Sequence, residues 1–215
     1  SLALMDAGVP VSITTDYDCA ARSATTPDIG LNEFNIPICG TVVAGAAVPD
    51  TAAFCNSGNT TINIPGASVG IGMNYTWQSS TDSAAWTVIA GATDNFYNTP
   101  TLTSTTFFRV VLRCIYSGQT DSATTKVTIN PLPTITVTPD GGGICSSGTG
   151  LAMTASGAAA YTWSPATGLS TTAGSAVTAN PAATTSYTVA GTDLNGCKNT
   201  HVSLVSVTNE PDTFT

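Results

Sequence analysis

Hydrophobic and polar residues alternate along much of the chain, which is the period of a β-strand with one buried face. In one long segment Phe108, Val110 and Leu112 share one side of the predicted strand, while Arg109 and Arg113 share the other. Shorter alternating segments occur at residues 9–14, 61–64, 75–78, 124–129, 135–138, 186–189 and 201–207. Short strands separated by Gly, Pro and Asn turn residues predict an all-β protein.

The elements occur twice in the same order. The first copy contains Cys55, Tyr75-Thr76-Trp77, a Thr-Thr-aromatic strand from Thr105 and Cys114. The second contains Cys145, Tyr161-Thr162-Trp163, a Thr-Thr-Ser-Tyr strand from Thr184 and Cys197. A repeat of roughly 80 residues has the size of a small β-sandwich. Because Trp77 and Trp163 recur at one position, we expect both to be core residues.

The repeat divides the chain into four parts. We expect immunoglobulin-like (Ig-like) β-sandwiches at 49–130 and 134–209, an N-terminal segment or partial domain at 1–48, and a C-terminal tail at 210–215. The N-terminal part reads as a β segment stapled by a disulfide. Between the sandwiches, Asn130-Pro131-Leu132-Pro133 forms a short and stiff linker, because proline biases its neighbours towards extended backbone.

Charge excludes several partners. Charged residues make up 8% of the 215 residues, and the net charge is −8. Five Lys and Arg residues are too few to line a phosphate backbone or to bind an anionic bilayer, so we expect neither nucleic-acid binding nor membrane insertion. No segment approaches the ~20 apolar residues of a membrane span.

Six cysteines without CxxC spacing, beside a single histidine, predict disulfides rather than a zinc site. Disulfides imply an oxidising compartment, hence a secreted, extracellular or cell-surface protein. Six cysteines allow fifteen pairings; the local choice is Cys19–Cys39, Cys55–Cys114 and Cys145–Cys197. If the strands that carry them pair antiparallel across the sandwich, each of the last two bonds clamps one end of its own sandwich.

Three runs of the second repeat resemble a known group of proteins. They are Tyr161-Thr162-Trp163-Ser164-Pro165-Ala166-Thr167-Gly168-Leu169, Pro181-Ala182-Ala183-Thr184-Thr185-Ser186-Tyr187-Thr188-Val189 and Gly191-Thr192-Asp193-Leu194-Asn195-Gly196-Cys197. They resemble the Ig-like or PKD-like repeats of large secreted Bacteroidetes surface proteins, and the segment from Tyr75 to Thr93 is similar to a sister repeat. The resemblance covers about 160 residues and leaves out 1–48. It implies a spacer or adhesive role, of the adhesin or gliding-associated type, and carries no catalytic residues.

Three Asp-(Ser/Thr)-Ala triplets agree with that resemblance. Thr51, Ser83 and Ser122 each follow an aspartate and precede an alanine, which matches the O-glycosylation pattern of Bacteroidetes. Chance occurrence in a chain rich in Ser, Thr and Ala is the competing explanation.

The sequence contains little catalytic chemistry, and we expect no enzyme. His201 reads as an ordinary strand residue rather than a general base. The glutamates Glu33 and Glu210 show no spacing suited to a carboxylate pair. We predict no cofactor; Asp16 and Asp18 could contribute to a calcium site, although a solvated face explains them better.

The leading hypothesis is a non-catalytic extracellular structural protein of a bacterial surface, acting as a stalk, adhesin or filament subunit that self-associates or contacts neighbouring repeats. The alternative is a carbohydrate- or protein-recognition module, for which Trp86 and Tyr97 are the candidate ligand contacts. In a filament, the apolar N-terminus could add a strand to the open sheet edge of a neighbour. The candidate residues for that strand are Leu2, Leu4, Val9, Val11 and Ile13.

Overall fold

The computed structural model describes residues 39–208, and its regular structure consists of β-strands. Within that range we find fourteen strands and no helix, which confirms the all-β prediction. The first seven strands are β1 Thr51–Cys55, β2 Thr61–Asn63, β3 Met73–Ser80, β4 Thr87–Val88, β5 Phe96–Asn98, β6 Thr106–Cys114 and β7 Thr120–Asn130. The second seven are β8 Thr136–Thr138, β9 Gly142–Cys145, β10 Leu151–Ser156, β11 Ala160–Ser164, β12 Ala176–Ala179, β13 Thr185–Thr192 and β14 Lys198–Thr208.

The first sandwich combines a five-stranded sheet, in the order β1-β7-β6-β3-β4, with the two-stranded sheet β2-β5. All neighbours in the large sheet are antiparallel except β1, which runs parallel to β7. The alternating side chains of β6 behave as the sequence predicts. Phe108, Val110 and Leu112 are buried, and Arg113 is exposed.

Residues 39–48 belong to this first sandwich. Val42, Ala44 and Ala47 are buried in the same core as Trp77, and Val48 forms a β-bridge to Asn63 of β2. The sandwich therefore reaches N-terminally to Cys39, beyond the boundary at 49 expected from the sequence. Small core residues interrupted by Gly and Pro give only a weak strand pattern, which explains why this segment is hard to recognise.

The second sandwich repeats the plan. Its sheets have the orders β11-β13-β14-β9 and β12-β10-β8, and β9 again runs parallel to the closing strand β14. In both units the first stretch of chain lies on the small sheet and the next strand crosses to the large sheet beside the closing strand. Two packed antiparallel sheets with this crossing are an Ig-like sandwich.

The repeated tryptophans have the same environment in both units. Trp77 and Trp163 are buried, as the repeat predicts. Each indole also satisfies its polar group: Trp77 Nε1 donates to Asp94 O at 2.9 Å, and Trp163 Nε1 donates to Gly174 O at 3.0 Å. A buried indole thus packs its rings and keeps a hydrogen bond on the N–H.

The disulfides differ from the predicted pairs. Cys39 bonds Cys114, and Cys55 bonds Cys197 of the second sandwich, with Cα–Cα distances of 5.6 and 5.4 Å. Cys145 is exposed and has a free thiol. The predicted pairs Cys19–Cys39, Cys55–Cys114 and Cys145–Cys197 are therefore wrong, and Cys19 itself lies outside the described residues.

The parallel strand explains the error. Cys55 lies opposite Asn130, the last residue of β7, whereas Cys114 lies beside the turn from which β7 departs. Ten strand residues separate these levels, roughly 33 Å at 3.3 Å per residue. A disulfide needs Cα atoms within about 7 Å, so Cys55 cannot reach Cys114. In the same way, Cys145 lies opposite Thr208, the last residue of β14, whereas Cys197 lies just before the first. Cys145 therefore cannot reach Cys197.

Asp121 ties the N-terminal segment to the large sheet. Its carboxylate accepts hydrogen bonds from the amides of Ala44 and Ser122, both at 2.8 Å, and these bonds lower the pKa of Asp121. A carboxyl group whose pKa is lower in the folded than in the unfolded chain stabilises the fold above its unfolded pKa, and this stabilisation is lost as the pH falls through the folded pKa.

We expect the melting temperature of the wild type to stay level above about pH 5 and to fall below about pH 4. Asp121→Asn should melt at a lower temperature at pH 7 and show a shallower fall in acid. Asp94→Asn is the control, because its carboxylate accepts no hydrogen bond from the described residues. Thermal melts between pH 7 and 3 test this. An equal fall in melting temperature for the wild type and Asp121→Asn would contradict it.

Candidate functional site: a cleft on the outer face of the first sandwich

The outer face of the large sheet carries most of the positive charge of the described chain. Arg109 and Arg113 project outward from β6, and Lys126 projects outward from β7. Neither Arg109 nor Lys126 has a carboxylate partner within ion-pair distance among residues 39–208. In an acidic protein, neighbouring cations on one face attract anionic or strongly polar ligands.

Trp86 and Arg109 form a stacked pair. Arg109 Cζ lies 4.4 Å from the centre of the Trp86 ring, within the range of a cation–π interaction. The guanidinium group is held in place because Nε and Nη2 both donate to Gln78 Oε1, at 2.9 and 2.5 Å. Gln78 lies directly opposite Arg109 in the β3–β6 ladder, so the sheet itself sets this geometry.

A second cation–aromatic pair lies beside the first. Lys126 Nζ is 5.6 Å from the ring centre of Phe107, and the two residues are opposite each other across β6 and β7. Together the pairs border an open cleft of about 500 Å³. Its lining combines aromatic, cationic and hydroxyl side chains with one acidic residue: Asp50, Thr51, Ser83, Trp86, Phe107, Arg109, Ser122, Thr124, Thr125 and Lys126.

All three hydroxyls of the Asp-(Ser/Thr)-Ala triplets lie at this cleft. Thr51 begins β1, Ser83 lies in the turn before β4, and Ser122 faces outward from β7. Each of the three residues is exposed. They are far apart in sequence, so only the fold shows that they converge.

The turn that presents Ser83 is ordered by the preceding aspartate. Asp82 Oδ1 accepts from the amides of Ala84 and Ala85 at 2.9 and 3.0 Å, and from Ser80 Oγ at 2.8 Å. These bonds lower the pKa of Asp82, that from Ala84 most strongly. Ser83 has a positive φ of 60°, a conformation uncommon for residues other than Gly, Asn and Asp.

Tyr97 does not share this site. Its ring centre lies 5.6 Å from both Trp77 and Phe108, so the ring packs against the core of the first sandwich. Burial raises the pKa of Tyr97. A small separate depression beside β5 includes Tyr97, but Trp86 is not among its residues.

His201 has a carboxylate partner but does not form a catalytic triad. His201 Nε2 and Ser203 Oγ both contact Asp140 Oδ1, at 2.8 and 2.7 Å. A nucleophilic serine must bond to its histidine, whereas here one carboxylate oxygen lies between them and Ser203 is buried. The two bonds, that from His201 first, lower the pKa of Asp140.

Several predicted residues fall outside the described range. The calcium candidates Asp16 and Asp18 and the strand-donation candidates at 2–13 are among them. Within residues 39–208 no group of three or more His, Cys, Asp or Glu side chains is placed to hold a metal ion. The same range contains no helix long and apolar enough to cross a bilayer.

Comparisons with known proteins concern the fold. A family model described as "Domain of unknown function (DUF8696)" matches residues 43–131, which correspond to the first sandwich and to less than half of the chain. No curated protein matches the sequence.

Three solved structures illustrate the similarity. The insect immune protein hemolin is 13% identical, with 82% of this chain and 49% of that chain covered and a TM-score of 0.45. The I-band fragment I67–I69 of titin is 11% identical, with coverages of 79% and 65% and a TM-score of 0.43. The N-terminal four Ig domains of Dscam1 isoform 1.9 are 8% identical, with coverages of 74% and 44% and a TM-score of 0.39. The chain spans about half to two thirds of their lengths, and the likeness does not extend beyond the arrangement of strands.

Replacing the two tryptophans of the first sandwich separates binding from stability. Trp86→Ala removes a half-buried stacking pair worth about 0.5–2 kcal/mol, so the domain should stay folded while affinity for a ligand of the cleft falls. Trp77→Ala leaves a cavity in the core and should destabilise the domain by about 3–5 kcal/mol. Urea unfolding combined with a screen of surface glycans measures both effects. Glycan binding that survives Trp86→Ala would exclude the cleft as the site.

Proposed function

We propose that the protein is a non-catalytic structural component of a bacterial cell surface, a stalk, adhesin or filament subunit built from Ig-like modules. The observation that carries this proposal is the Cys55–Cys197 bond, which joins the two sandwiches covalently beside the proline-rich linker. Disulfides suit a secreted or surface protein. The resemblance to Bacteroidetes surface repeats supports the bacterial setting.

The bond changes how the chain transmits a pulling force. A force applied at the two ends follows the shortest covalent path, from Cys39 to Cys55, across the disulfide to Cys197, and along β14 to Thr208. This path bypasses the 142-residue separation between Cys55 and Cys197. Besides Cys39 itself, the path includes only the buried residues Val42, Ala44 and Ala47 of the first core and Val205 of the second. Trp77, Trp163 and most other core residues therefore lie outside the load-bearing path, which suits a stalk that must not lengthen.

We expect single-molecule pulling to separate the wild type from a Cys55→Ser/Cys197→Ser variant. Between residues 39 and 208 the wild-type path has 27 residue steps (55 − 39 = 16 and 208 − 197 = 11). In the variant, with Cys39–Cys114 intact, the path has 208 − 114 = 94 steps. The variant should therefore lengthen by roughly 230 Å more, at 3.3–3.6 Å per residue.

Cys145→Ser is the control for this experiment, and it should behave as the wild type does. Equal extension of the wild type and the double variant would show that the bond carries no load, and the stalk proposal would then fail.

A recognition module is the second candidate, favoured by the cleft on the first sandwich. Trp86 and Phe107 offer aromatic faces for a sugar ring or an apolar side chain, and Arg109 and Lys126 offer donors that form no ion pair with residues 39–208. Such a mixture of aromatic and polar groups is typical of binding sites. Of the two ligand contacts expected from the sequence, only Trp86 lies at this cleft, because the Tyr97 ring packs inward.

We also propose that Thr51, Ser83 and Ser122 carry O-linked glycans. Their exposure and their convergence on one open cleft support this, since glycans on all three would shield one face of the first sandwich.

The mass of the chain isolated from its natural source tests the glycans. We expect its peptides that contain Thr51, Ser83 and Ser122 to be heavier than their unmodified sequences, and the Thr51→Ala/Ser83→Ala/Ser122→Ala variant should lose that excess. Ser117→Ala, an exposed serine without a preceding aspartate, should keep it. An unmodified chain, or an excess that the triple variant retains, would refute the assignment.

A further inference from the structure

The two cations of the cleft lie close together on neighbouring strands. Lys126 of β7 is opposite Phe107 of β6, and Arg109 is opposite Thr124. Arg109 and Lys126 are therefore diagonal neighbours, with Cα atoms roughly 7–8 Å apart. Like charges at this spacing repel each other. One anionic group between the two strands can contact both long side chains, and it replaces that repulsion by attraction.

Arg109 is fixed in place and keeps donors for a ligand. Two of its N–H groups donate to Gln78 Oε1, and the guanidinium group lies over the Trp86 ring. A guanidinium group has five N–H donors, and among residues 39–208 the Arg109 side chain makes no further hydrogen bond. The remaining donors suit a planar carboxylate, which arginine binds in a bidentate manner. Because the group is already held, a ligand spends little conformational entropy on ordering it.

Lys126 supplies the second cation. Its Nζ lies 5.6 Å from the ring centre of Phe107, and within residues 39–208 this ammonium group forms no ion pair. Asp50 is the acidic residue of the lining, but its carboxylate does not neutralise Lys126. The ammonium donors are therefore available to the same anion that Arg109 contacts.

We propose that the cleft binds an acidic saccharide, with the carboxylate group of a uronic acid held jointly by Arg109 and Lys126. This inference rests on the recognition module given above as the second candidate function, and it names the ligand class of that cleft. The two cations contact the ligand. Trp86 and Phe107 are positioning residues, because each ring holds one of the cations.

The polar lining favours a saccharide over an acidic peptide. All but two of the lining residues are charged or carry a hydroxyl group. The exceptions, Trp86 and Phe107, each have a cation over the ring. The cleft therefore lacks the dry apolar centre on which protein partners depend. A sugar acid needs no such centre, since polar side chains can bind its hydroxyl groups and its carboxylate.

Calorimetric titration with matched pairs of ligands tests the proposal. The ligands are tetrasaccharides of galacturonic, glucuronic and mannuronic acid, each compared with its uncharged methyl ester. The full chain is produced in a host that adds no O-linked glycans, so that the hydroxyls of Thr51, Ser83 and Ser122 stay free. We expect at least one acid to bind about tenfold more tightly than its ester. Its affinity should fall as NaCl rises from about 50 to about 500 mM.

Substitutions of the charged residues locate the site. Arg109→Gln and Lys126→Gln should each weaken binding of the acid about tenfold. Arg113→Gln is the matched control, because this exposed cation lies on the same face but outside the cleft, and it should keep the wild-type affinity. Asp50→Asn should strengthen binding, since it removes a like charge from the lining. Melting curves confirm that the four variants fold.

The role of Trp86 has its own readout. If the indole positions Arg109, Trp86→Ala should lower the ratio of acid to ester affinity, and Trp86→Phe should restore much of it. If the indole instead stacks on the sugar, Trp86→Ala weakens acid and ester alike, and the positioning role is refuted.

Three results would overturn the acidic ligand. They are equal affinity for every acid and its ester, binding of the acid that survives the Arg109→Gln/Lys126→Gln variant, and an equal loss in Arg113→Gln and Arg109→Gln. Ester binding that is lost in Trp86→Ala would reject the acidic ligand and keep the recognition module. Absence of binding by all six saccharides would reject both. The pulling experiment tests the stalk by a different property, so its result stands apart from these.

Discussion

The parallel pairing of one strand with the closing strand determines most of what is distinctive in this protein. In each sandwich the chain crosses from the small sheet to the large one and then runs alongside β7 or β14 in the same direction. A parallel neighbour ends where the closing strand ends, so its terminal cysteine arrives at the exit of the module rather than at its entrance. Cys55 is consequently available to the next module and unavailable to its own.

Local sequence patterns were sufficient for the long strands and for the two core tryptophans. The alternation of apolar and polar residues predicts the buried face of β6, and the repeated position of Trp77 and Trp163 predicts that both are buried. Both signals depend only on residues within one strand or on the comparison of two repeats. The direction of β1 leaves no such trace. Parallel and antiparallel neighbours need the same alternating residues, so the antiparallel assumption behind a Cys55–Cys114 bond could not be tested in the sequence.

For the cleft too, the sequence predicts single residues, while their contacts depend on how distant strands pair. Trp86 was a candidate because it has no counterpart in the second repeat, and the structure places it against Arg109 on the outer face. Its partnership with Arg109 depends on the β3–β6 register, which also places Gln78 under the guanidinium group. The inward packing of Tyr97 likewise depends on the pairing of β2 with β5. The alternation at 61–64 predicts β2 but not its partner, and the three residues of β5 are too few to give a clear pattern.

The order of the bonded cysteines along the chain has a consequence for biosynthesis. Cys39, Cys55, Cys114 and Cys197 emerge in that order, yet the first bonds the third and the second bonds the fourth. In an unfolded chain Cys114 would choose between Cys39 and Cys55, 75 and 59 residues away (114 − 39 = 75 and 114 − 55 = 59). The loop-closure costs of these two choices differ by only roughly 0.2 kcal/mol. Folding rather than loop length therefore has to select the partner, because a wrong bond can still exchange. Once β1 lies beside β7, Cys55 is out of reach of Cys114, and its native bond can form only when the second sandwich has formed its turn.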